Sequence, residues 1–418
     1  MTNAPAKPPE LGPRERILGG PSLRSGLSEW WEDLVWPRVF GAARLGLRPG
    51  RVGLALFAVL IAWVLLDVGA AIDARLVKAG VQFSWEGRTA TEAILVAPWK
   101  FCVSLPKALF LGVPITTLVV GPVLLATWLA LLGGISRMVA CEMGSGDQLT
   151  WTEGLGYSVS RWRSMVGAVL GPLVMLWLLA LVLGVGGWVA LRWPGLNIIG
   201  AAMYGLTLLV GLIGVLIVIG YALGHGLYLP AVACEGADAI DAVQRGYTYA
   251  FAKPARLIFY HAVGAAGLVI VVGILALIVQ WTIGFAAMGA AAWAGKSGQA
   301  MVWTPTREVL SVLPWSAIHA QAVDSTGTFA AGAWLIRLWT AFPVLLVVST
   351  WISCGMAVQT AVYLGIRRTC DGQDFADIWQ PGMIPGTMSD AMAGRGKVAE
   401  SLGVADKGVS LKEEADYQ

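Results

Sequence analysis

Six long apolar stretches constrain the fold of this chain more than any other feature. They lie near residues 52–72, 108–135, 165–191, 199–229, 257–285 and 341–366. A helix needs roughly 20 apolar residues to cross a hydrocarbon core of about 30 Å, so each stretch predicts one membrane-spanning helix. Hydrophobic residues make up 57% of the chain and charged residues 13%, a balance that excludes an ordinary soluble enzyme. We therefore predict an all-α, polytopic membrane helix bundle.

The regions outside these stretches define the domain boundaries. Residues 28–380 form the predicted six-span membrane domain, whereas residues 1–27 and 381–418 are polar segments expected to be disordered. The first apolar stretch lacks a small-residue cleavage pattern, so we expect no removable signal peptide. Between the third and fourth stretches only Arg192 and the turn Trp193-Pro194-Gly195 remain, which predicts a tight antiparallel hairpin.

The distribution of Lys and Arg predicts the orientation of the bundle. One alternating set of connections, which includes both terminal segments, holds 20 Lys and Arg, and the opposite set holds 9. Positively charged connections resist translocation and stay in the cytoplasm. The sequence thus predicts a protein of the bacterial inner membrane with both termini cytoplasmic. The net charge of +3 is too small to indicate a nucleic-acid partner.

Short sequences at the cytoplasmic edge recur along the chain. The motif C-[DE]-G-x-D-x-x-D begins at Cys234 and again at Cys370, and the sequence VACE occurs at residues 139–142 and 232–235. The distance from Cys141 to Arg163 equals that from Cys234 to Arg256. These matches predict three parallel two-helix repeats. Each repeat would comprise a cytoplasmic amphipathic helix, a span, an external loop and a returning span.

Capping signals predict where the amphipathic helices begin. Thr150 and Glu153 fit a capping box, and two pairs of aspartates occupy cap and first-turn positions. The pairs are Asp238 with Asp241 and Asp374 with Asp377. A metal site built on these acids is the alternative. We favour capping, because no CxxC and no nearby His accompanies them and a single Cys with carboxylates suits neither zinc nor calcium.

The second of these motifs leads into a segment with helical periodicity. Apolar residues fall on one face of a 3.6-residue period until Pro254 ends the helix: Ile240, Val243, Tyr247, Ala250 and Phe251. Polar residues lie opposite. An amphipathic helix of this kind is predicted to lie flat on the inner membrane surface.

Three ionisable residues within the apolar stretches are the candidate functional sites. Asp67, His225 and His261 stand where a charge is costly, so each is a functional candidate by default. For Asp67 we favour a structural or interfacial role over an ion pathway. For the two His residues we favour interfacial hydrogen bonding over a proton relay.

Small residues and prolines within the spans allow two further interpretations. Gly220 and Gly224 have the GxxxG spacing that lets helix backbones approach, so they are candidates for self-association or for contact with a membrane-protein partner. Pro114 and Pro122 interrupt the second stretch. Broken helices occur at transport sites, but only one repeat has the prolines, so we favour kinks that serve packing.

The spans and helices such as AIDAVQRGYTYAFAKPARL, residues 239–257, resemble bacterial six-span membrane families. Among these is the membrane domain fused to some glycerophosphodiester phosphodiesterases. The resemblance covers residues 40–380 and implies a six-span bundle. The phosphodiesterase catalytic domain is absent from the sequence, and no functional residue is carried over.

No motif predicts an enzyme. The sequence lacks Gly-x-Ser-x-Gly, HExxH, a P-loop and a glycine-rich nucleotide fingerprint, so we expect no catalytic residue, cofactor or metal. The favoured hypothesis is a non-catalytic integral membrane protein that organises lipids or protein partners in the lipid bilayer. The alternative is a transporter or channel for a small solute or ion. A lipid-active intramembrane enzyme is the third hypothesis.

Overall fold

The computed structural model describes residues 35–76, 104–311 and 327–379, so the predicted tails 1–27 and 381–418 lie outside the described residues. All regular secondary structure in these residues is helical. In chain order the helices are α1 (Trp36–Gly41), α2 (Pro49–Leu76), α3 (Thr116–Gly144), α4 (Trp151–Ser160), α5 (Trp162–Arg192), α6 (Leu196–Ala202), α7 (Tyr204–Glu235), α8 (Ala239–Ala252), α9 (Pro254–Ala291), α10 (Gly295–Leu310) and α11 (Thr328–Asp371).

Six of these helices are long and apolar enough to cross a membrane: α2, α3, α5, α7, α9 and α11. The all-α class and the presence of six helices of spanning length and composition are therefore confirmed. We call α2, α5 and α9 the outbound helices, and α3, α7 and α11 the return helices. The start of each outbound helix meets the end of a return helix at one end of the bundle, which we call the polar end. A short lead-in element precedes each outbound helix. These elements are α1 with the 3-10 turn Ala42–Leu47, then α4, then α8.

The return helices form the centre of the bundle. α3, α7 and α11 pack on one another, and a buried hydrogen bond of 2.8 Å joins Ser136 of α3 to Thr360 of α11. Each lead-in element packs on a return helix: α4 on α3, α8 on α7, and the first element on α11. The Ser353 hydroxyl of α11 donates to the Gly46 carbonyl at 2.7 Å. The beginning of the chain thus closes the ring against its last helix.

Two of the predicted capping motifs start helices as expected. The Thr150 side chain accepts from the Glu153 N–H, and Glu153 accepts from the Thr150 N–H at 2.8 Å, so α4 begins with a complete capping box. Asp238 accepts from the Asp241 N–H at 2.8 Å and caps α8. Because Pro254 restricts the residue before it, α8 ends at Ala252 and α9 begins at Pro254.

The third pair of aspartates starts no helix, which corrects the prediction. Residues 372–379 form turns and extended chain after α11. Here Asp377 accepts from the Asp374 N–H at 2.9 Å, and Asp374 accepts from the Phe375 N–H at 2.7 Å. The two carboxylates therefore satisfy the amides of a tight turn rather than those of a helix start.

The predicted hairpin between the third and fourth spans contains an additional helix. The turn at Trp193-Pro194-Gly195 is present, and Gly195 takes the positive φ of 90° that a glycine tolerates. The short helix α6 follows it, and α7 begins only at Tyr204 after a break at Met203. The predicted fourth span, 199–229, is thus displaced toward higher residue numbers.

The packing face of α8 overlaps the predicted apolar stripe only in part. The residues that it buries against its neighbours are Ala242, Gly246, Tyr249 and Ala250. Of the predicted stripe, Ile240 is 76% exposed and Phe251 is 49% exposed. Ala250 of the stripe is buried, and Val243 and Tyr247 pack partly against the core, so the stripe overlaps the packing face and only its two ends remain exposed.

The two glycines of the GxxxG pair have partners within the chain. A Cβ atom at Gly224 would lie 3.0 Å from the Gly246 carbonyl oxygen of α8, and one at Gly220 would lie 2.2 Å from the Tyr247 ring. The Tyr247 hydroxyl also donates to the Ile217 carbonyl at 2.8 Å. A second copy of the chain could reach these glycines only by displacing α8, so their spacing serves internal packing.

Candidate functional site: the polar end

Three acidic residues occupy equivalent places at the ends of the return helices. Glu142, Glu235 and Asp371 each follow a Cys on α3, α7 and α11. All three belong to the recurring sequence motifs, but none of them is among the predicted site residues. In the structure each one has a cationic or tyrosine partner. Their recurrence after Cys in three places was the signal that could have identified them.

Glu235 lies at the centre of the polar end and is completely buried. Its carboxylate accepts from the Tyr363 hydroxyl of α11 and pairs with Arg245 of α8. The guanidinium of Arg367, also 0% exposed, stands 3.7 Å away and donates to the Asp374 carbonyl at 2.7 Å. An ion pair taken out of water must be well compensated. One carboxylate therefore fixes α7, α8 and α11 relative to one another.

Glu142 plays a similar part at the end of α3. It pairs with Arg48 and, at 2.5 Å, with Arg51, whose side chain is 1% exposed. Arg51 also donates to the Leu45 carbonyl at 2.6 Å and to the Met138 carbonyl at 2.8 Å. The start of α2 is thus attached to the end of α3 by charge-assisted hydrogen bonds.

Asp371 accepts a hydrogen bond from the Tyr249 hydroxyl of α8. Burial, together with this hydrogen bond to a carboxylate, raises the pKa of Tyr249, so the phenol stays protonated and remains a donor. The contact joins the last return helix to the third lead-in element. All three acids are therefore committed to positions in the helix framework.

A cation at the start of each outbound helix contacts the end of a return helix. Arg51 reaches the Met138 carbonyl, Arg161 reaches the Gly236 carbonyl at 3.0 Å and Lys253 reaches the Thr369 carbonyl at 3.1 Å. Gly236 and Thr369 lie in or next to the last turn of their helices, where the last carbonyls lack intrahelical partners and a positive charge is favourable, whereas Met138 lies six residues before the end of α3. Four and seven residues after each cation, the outbound helix buries two side chains. They are Ala55 and Ala58, Met165 and Ala168, and Leu257 and Tyr260.

The segment after α11 crosses the polar end. The backbone N–H of Trp379 donates to the Cys234 carbonyl at 2.8 Å, and the Arg161 guanidinium lies 4.8 Å from the Trp379 ring centroid. Nearby, the Tyr157 hydroxyl donates to the Val232 carbonyl at 2.7 Å beneath Arg137. Burial raises the pKa of Tyr157 to about 12, so this donor remains protonated across the physiological range.

The structure does not bring the three predicted site residues together. Asp67 is exposed on α2, about 24 Å along the helix from Arg51 at 1.5 Å per residue. His225 is exposed on α7 and bonds only to carbonyls of its own helix, at 3.0 and 3.2 Å. His261 is partly buried, and its Nε2 atom lies 3.1 Å from the Gln359 side-chain oxygen of α11. In the part of the chain that the structure describes, no hydrogen bond joins His225 to His261.

An acid absent from the predictions occupies the far end of α2. Asp73 is 3% exposed, and its carboxylate accepts the N–H groups of Ile115 and Thr116, both at 2.9 Å. The chain breaks at Val113, just before these residues, and π-helical turns lie on either side of the break. Asp73 therefore caps the start of α3. In the sequence, Pro114 indicated the break in the helix. It did not indicate Asp73, whose carboxylate accepts hydrogen bonds from the amides next to the break.

The chemistry available to the polar end follows from these pairings. Within the described ranges, no group of three or more His, Cys, Asp or Glu is arranged to hold a metal ion. Cys141, Cys234 and Cys354 are buried free thiols. The three acids that end the return helices, Glu142, Glu235 and Asp371, are each paired with Arg or bonded to Tyr, which suits holding helices together.

A scan of protein-family models gives no match to this chain, and neither the curated proteins nor the solved structures give one. The resemblance to six-span bacterial membrane families therefore rests on sequence pattern alone. It assigns no role to any residue of the polar end.

Proposed function

We propose that this chain is a non-catalytic, multi-pass membrane protein that organises lipids or protein partners in the bacterial inner membrane. The closure of the polar end carries the proposal. Glu235 and Arg367 are both 0% exposed and occupy the place where the return helices converge. The buried polar groups of the polar end hold helices together. We therefore expect the lipid-facing surfaces of the bundle to interact with lipids or protein partners.

We also propose that the chain consists of three copies of one unit, a construction that fits the proposed function. The units share a lead-in element, a cation that contacts a return-helix carbonyl, two buried residues at fixed spacing and an acid at the end of the return helix. Each lead-in element packs on the return helix of the unit before it, and the first packs on the last.

The three faces of α8 support an interfacial position for the lead-in helices. One face packs on protein, the next carries Ile240 and Phe251 in exposed positions, and the third carries Asp241, Gln244 and Thr248. A helix with these three faces matches its surroundings at the membrane interface, where protein, hydrocarbon and water meet. α8 would then shape the headgroup region next to the bundle.

The excess of Lys and Arg at the polar end supports a cytoplasmic location for that end and for both termini. Thiol labelling of intact cells tests the orientation. In a Cys-free background, an impermeant reagent applied outside should label a Cys at Ser297 and spare one at Ser145. Both positions are exposed. Ala237, just after α7, is 0% exposed, so a Cys there would not report on the side of the membrane. Labelling at Ser145 with none at Ser297 would reverse the orientation.

Reconstitution tests the proposed function itself. Vesicles with equal phosphatidylglycerol and phosphatidylcholine receive a trace of one or the other lipid carrying a dansyl group. Energy transfer from the Trp residues should be greater to the anionic probe, because the cations of the polar end recruit it. Equal transfer to both probes would contradict lipid organisation. Proton flux measured in the same vesicles should equal that of protein-free vesicles.

The break at Val113, just before α3, favours a transporter as the second candidate. A helix interrupted within a span, with a buried carboxylate at the break, occurs where transporters bind ions. If Asp73 couples transport, wild-type vesicles should show gradient-driven proton or sodium flux, and Asp73→Asn should abolish it. Flux in the wild type that Asp73→Asn removes, at unchanged thermal stability, would put this candidate first.

A further inference from the structure

A groove at the first lead-in element combines one cation with an apolar floor. It has a volume of about 390 Å³ and lies between α1 and α9. Its lining residues are Pro37, Phe40, Gly41, Arg44, Gly267, Ile270 and Val271. Gly267 makes the groove possible, since a Cβ atom there would lie 2.4 Å from the Phe40 carbonyl oxygen. The absence of a side chain at Gly267 lets α1 lie directly on α9.

Arg44 differs from its cationic neighbours in having no partner. Arg48 pairs with Glu142, and the Arg38 guanidinium lies 5.2 Å from the centre of the Phe375 ring. Within the described ranges, the exposed Arg44 has neither a hydrogen bond nor an ion pair. A guanidinium binds phosphate oxygens in a bidentate manner and is less strongly hydrated than an ammonium group.

We propose that this groove binds an anionic phospholipid, with the phosphate on Arg44 and one acyl chain along Gly267, Ile270 and Val271. Charge selects the occupant, because an unpaired cation beside an apolar floor matches a lipid with a charged head and an apolar tail. The larger groove along α5, between Trp177 and Trp188, is lined by no charged side chain, so it offers no charge that would select an anionic headgroup. The inference deepens the proposed function and rests on its membrane placement.

Two variants and their two controls test the charged part and the apolar part of the groove separately. Arg44→Gln removes the cation, and Arg163→Gln is its control, because Arg163 is also exposed but lies 5.8 Å from the centre of the Trp162 ring and lines no groove. Ile270→Trp fills the floor of the groove. Ile274→Trp is the control for that change, one turn further along α9, 57% exposed and outside the groove.

The measurement is native mass spectrometry of the full chain with equal amounts of phosphatidylglycerol and phosphatidylcholine of identical acyl chains. The wild type should retain one phosphatidylglycerol in preference to phosphatidylcholine. Arg44→Gln should lower that preference about fivefold, the effect of one cation near a lipid surface. Ile270→Trp should abolish retention, and both controls should retain the lipid like the wild type. Unchanged melting temperatures would show that each variant is folded.

Several outcomes would overturn the proposal. Equal losses in Arg44→Gln and Arg163→Gln would indicate a diffuse basic belt instead of a site. A dimer that Ile270→Trp dissociates would make a second copy the occupant. Retention by a chain lacking residues 1–34 but not by the full chain would assign the groove to that segment. Lipid counting in detergent is independent of enrichment in vesicles, so retention without enrichment would contradict only the proposed function.

Discussion

The polar end and the middle of the lipid-facing helices are held in place by different forces. Residues 227–235 of α7 are all buried, yet only 6% of the most apolar 18-residue window of the same helix is buried. In a membrane that window would contact lipid, and there an apolar side chain gains little by exchanging a lipid contact for a protein contact. Hydropathy therefore decides that α7 crosses the membrane. Buried charges and close glycine contacts decide which helices it touches.

The largest loss of stability is expected from removing Glu235, the central acid of the polar end. Glu235→Ala leaves Arg367 buried beside no carboxylate, so we expect the free energy of unfolding to fall by about 3–5 kcal/mol. The matched control is Glu308→Ala, because Glu308 pairs with Arg337 between α10 and α11 while both side chains are 49% exposed. That change should cost at most about 1 kcal/mol. Thermal unfolding in detergent measures both, and equal losses would contradict the contrast.

Glycine substitutions test the same contrast through packing. At Gly246 a Cβ atom would lie 2.3 Å from the Tyr228 ring, so Gly246→Ala should destabilise the protein by about 1–3 kcal/mol through overpacking. Gly211 of α7 faces open space, with no atom within 4 Å. Gly211→Ala should be neutral or stabilise the protein by up to about 1 kcal/mol, since alanine favours helix. A loss of stability at Gly211 would reveal a partner on the lipid-facing surface.

Two acids of α2 test the difference between buried and exposed polar groups on one helix. Asp73 is buried, whereas Asp67 is exposed. Asp73→Ala removes the cap of α3 and should cost about 1 kcal/mol. Asp67→Asn changes an exposed side chain and should cost less, without effect on any flux. Unfolding in detergent and proteoliposome flux measure the pair. A larger loss at Asp67 than at Asp73 would restore Asp67 as a functional residue.

The smallest effect concerns the exposed capping box of α4. Hydrogen bonds from the Thr150 backbone and hydroxyl lower the pKa of Glu153 below its ordinary value of 4.5. Its contribution to stability is therefore complete above pH 4.5 and disappears as the pH falls through the lower, folded-state pKa. The difference in melting temperature between wild type and Glu153→Gln should be present at pH 7 and vanish in strong acid. A difference that persists there would show that Glu153 acts through packing.

The parts of the structure that depend on local sequence could be predicted. Each span contains enough apolar residues to be recognised alone, and the caps at Thr150 and Asp238 involve residues three positions apart. Asp374 fits the same local pattern, but it closes a turn. Crossing the polar end, the chain instead places Phe375 in the core. Contacts made by distant helices overrode the local signal.

The candidate site could not be predicted for the same reason. The burial of Glu235 depends on Arg367 and Tyr363, which lie 128 or more residues away in the chain. Asp67, His225 and His261 attracted interest because they interrupt apolar stretches, yet two of them are exposed on the surface. A polar residue within a span is conspicuous in the sequence, whereas one at its end becomes important only through partners that the sequence does not identify.

Closure of the ring also sets an order for synthesis. The Ser353 hydroxyl and the Gly46 carbonyl are 307 residues apart in the chain. At about 5–20 residues per second, a ribosome needs roughly 15–60 s to make the intervening chain. During that time the first lead-in element has been made but its docking surface on α11 has not. A nascent chain that stops before α11 would lack the hydroxyl that bonds to Gly46 and would leave the ring open.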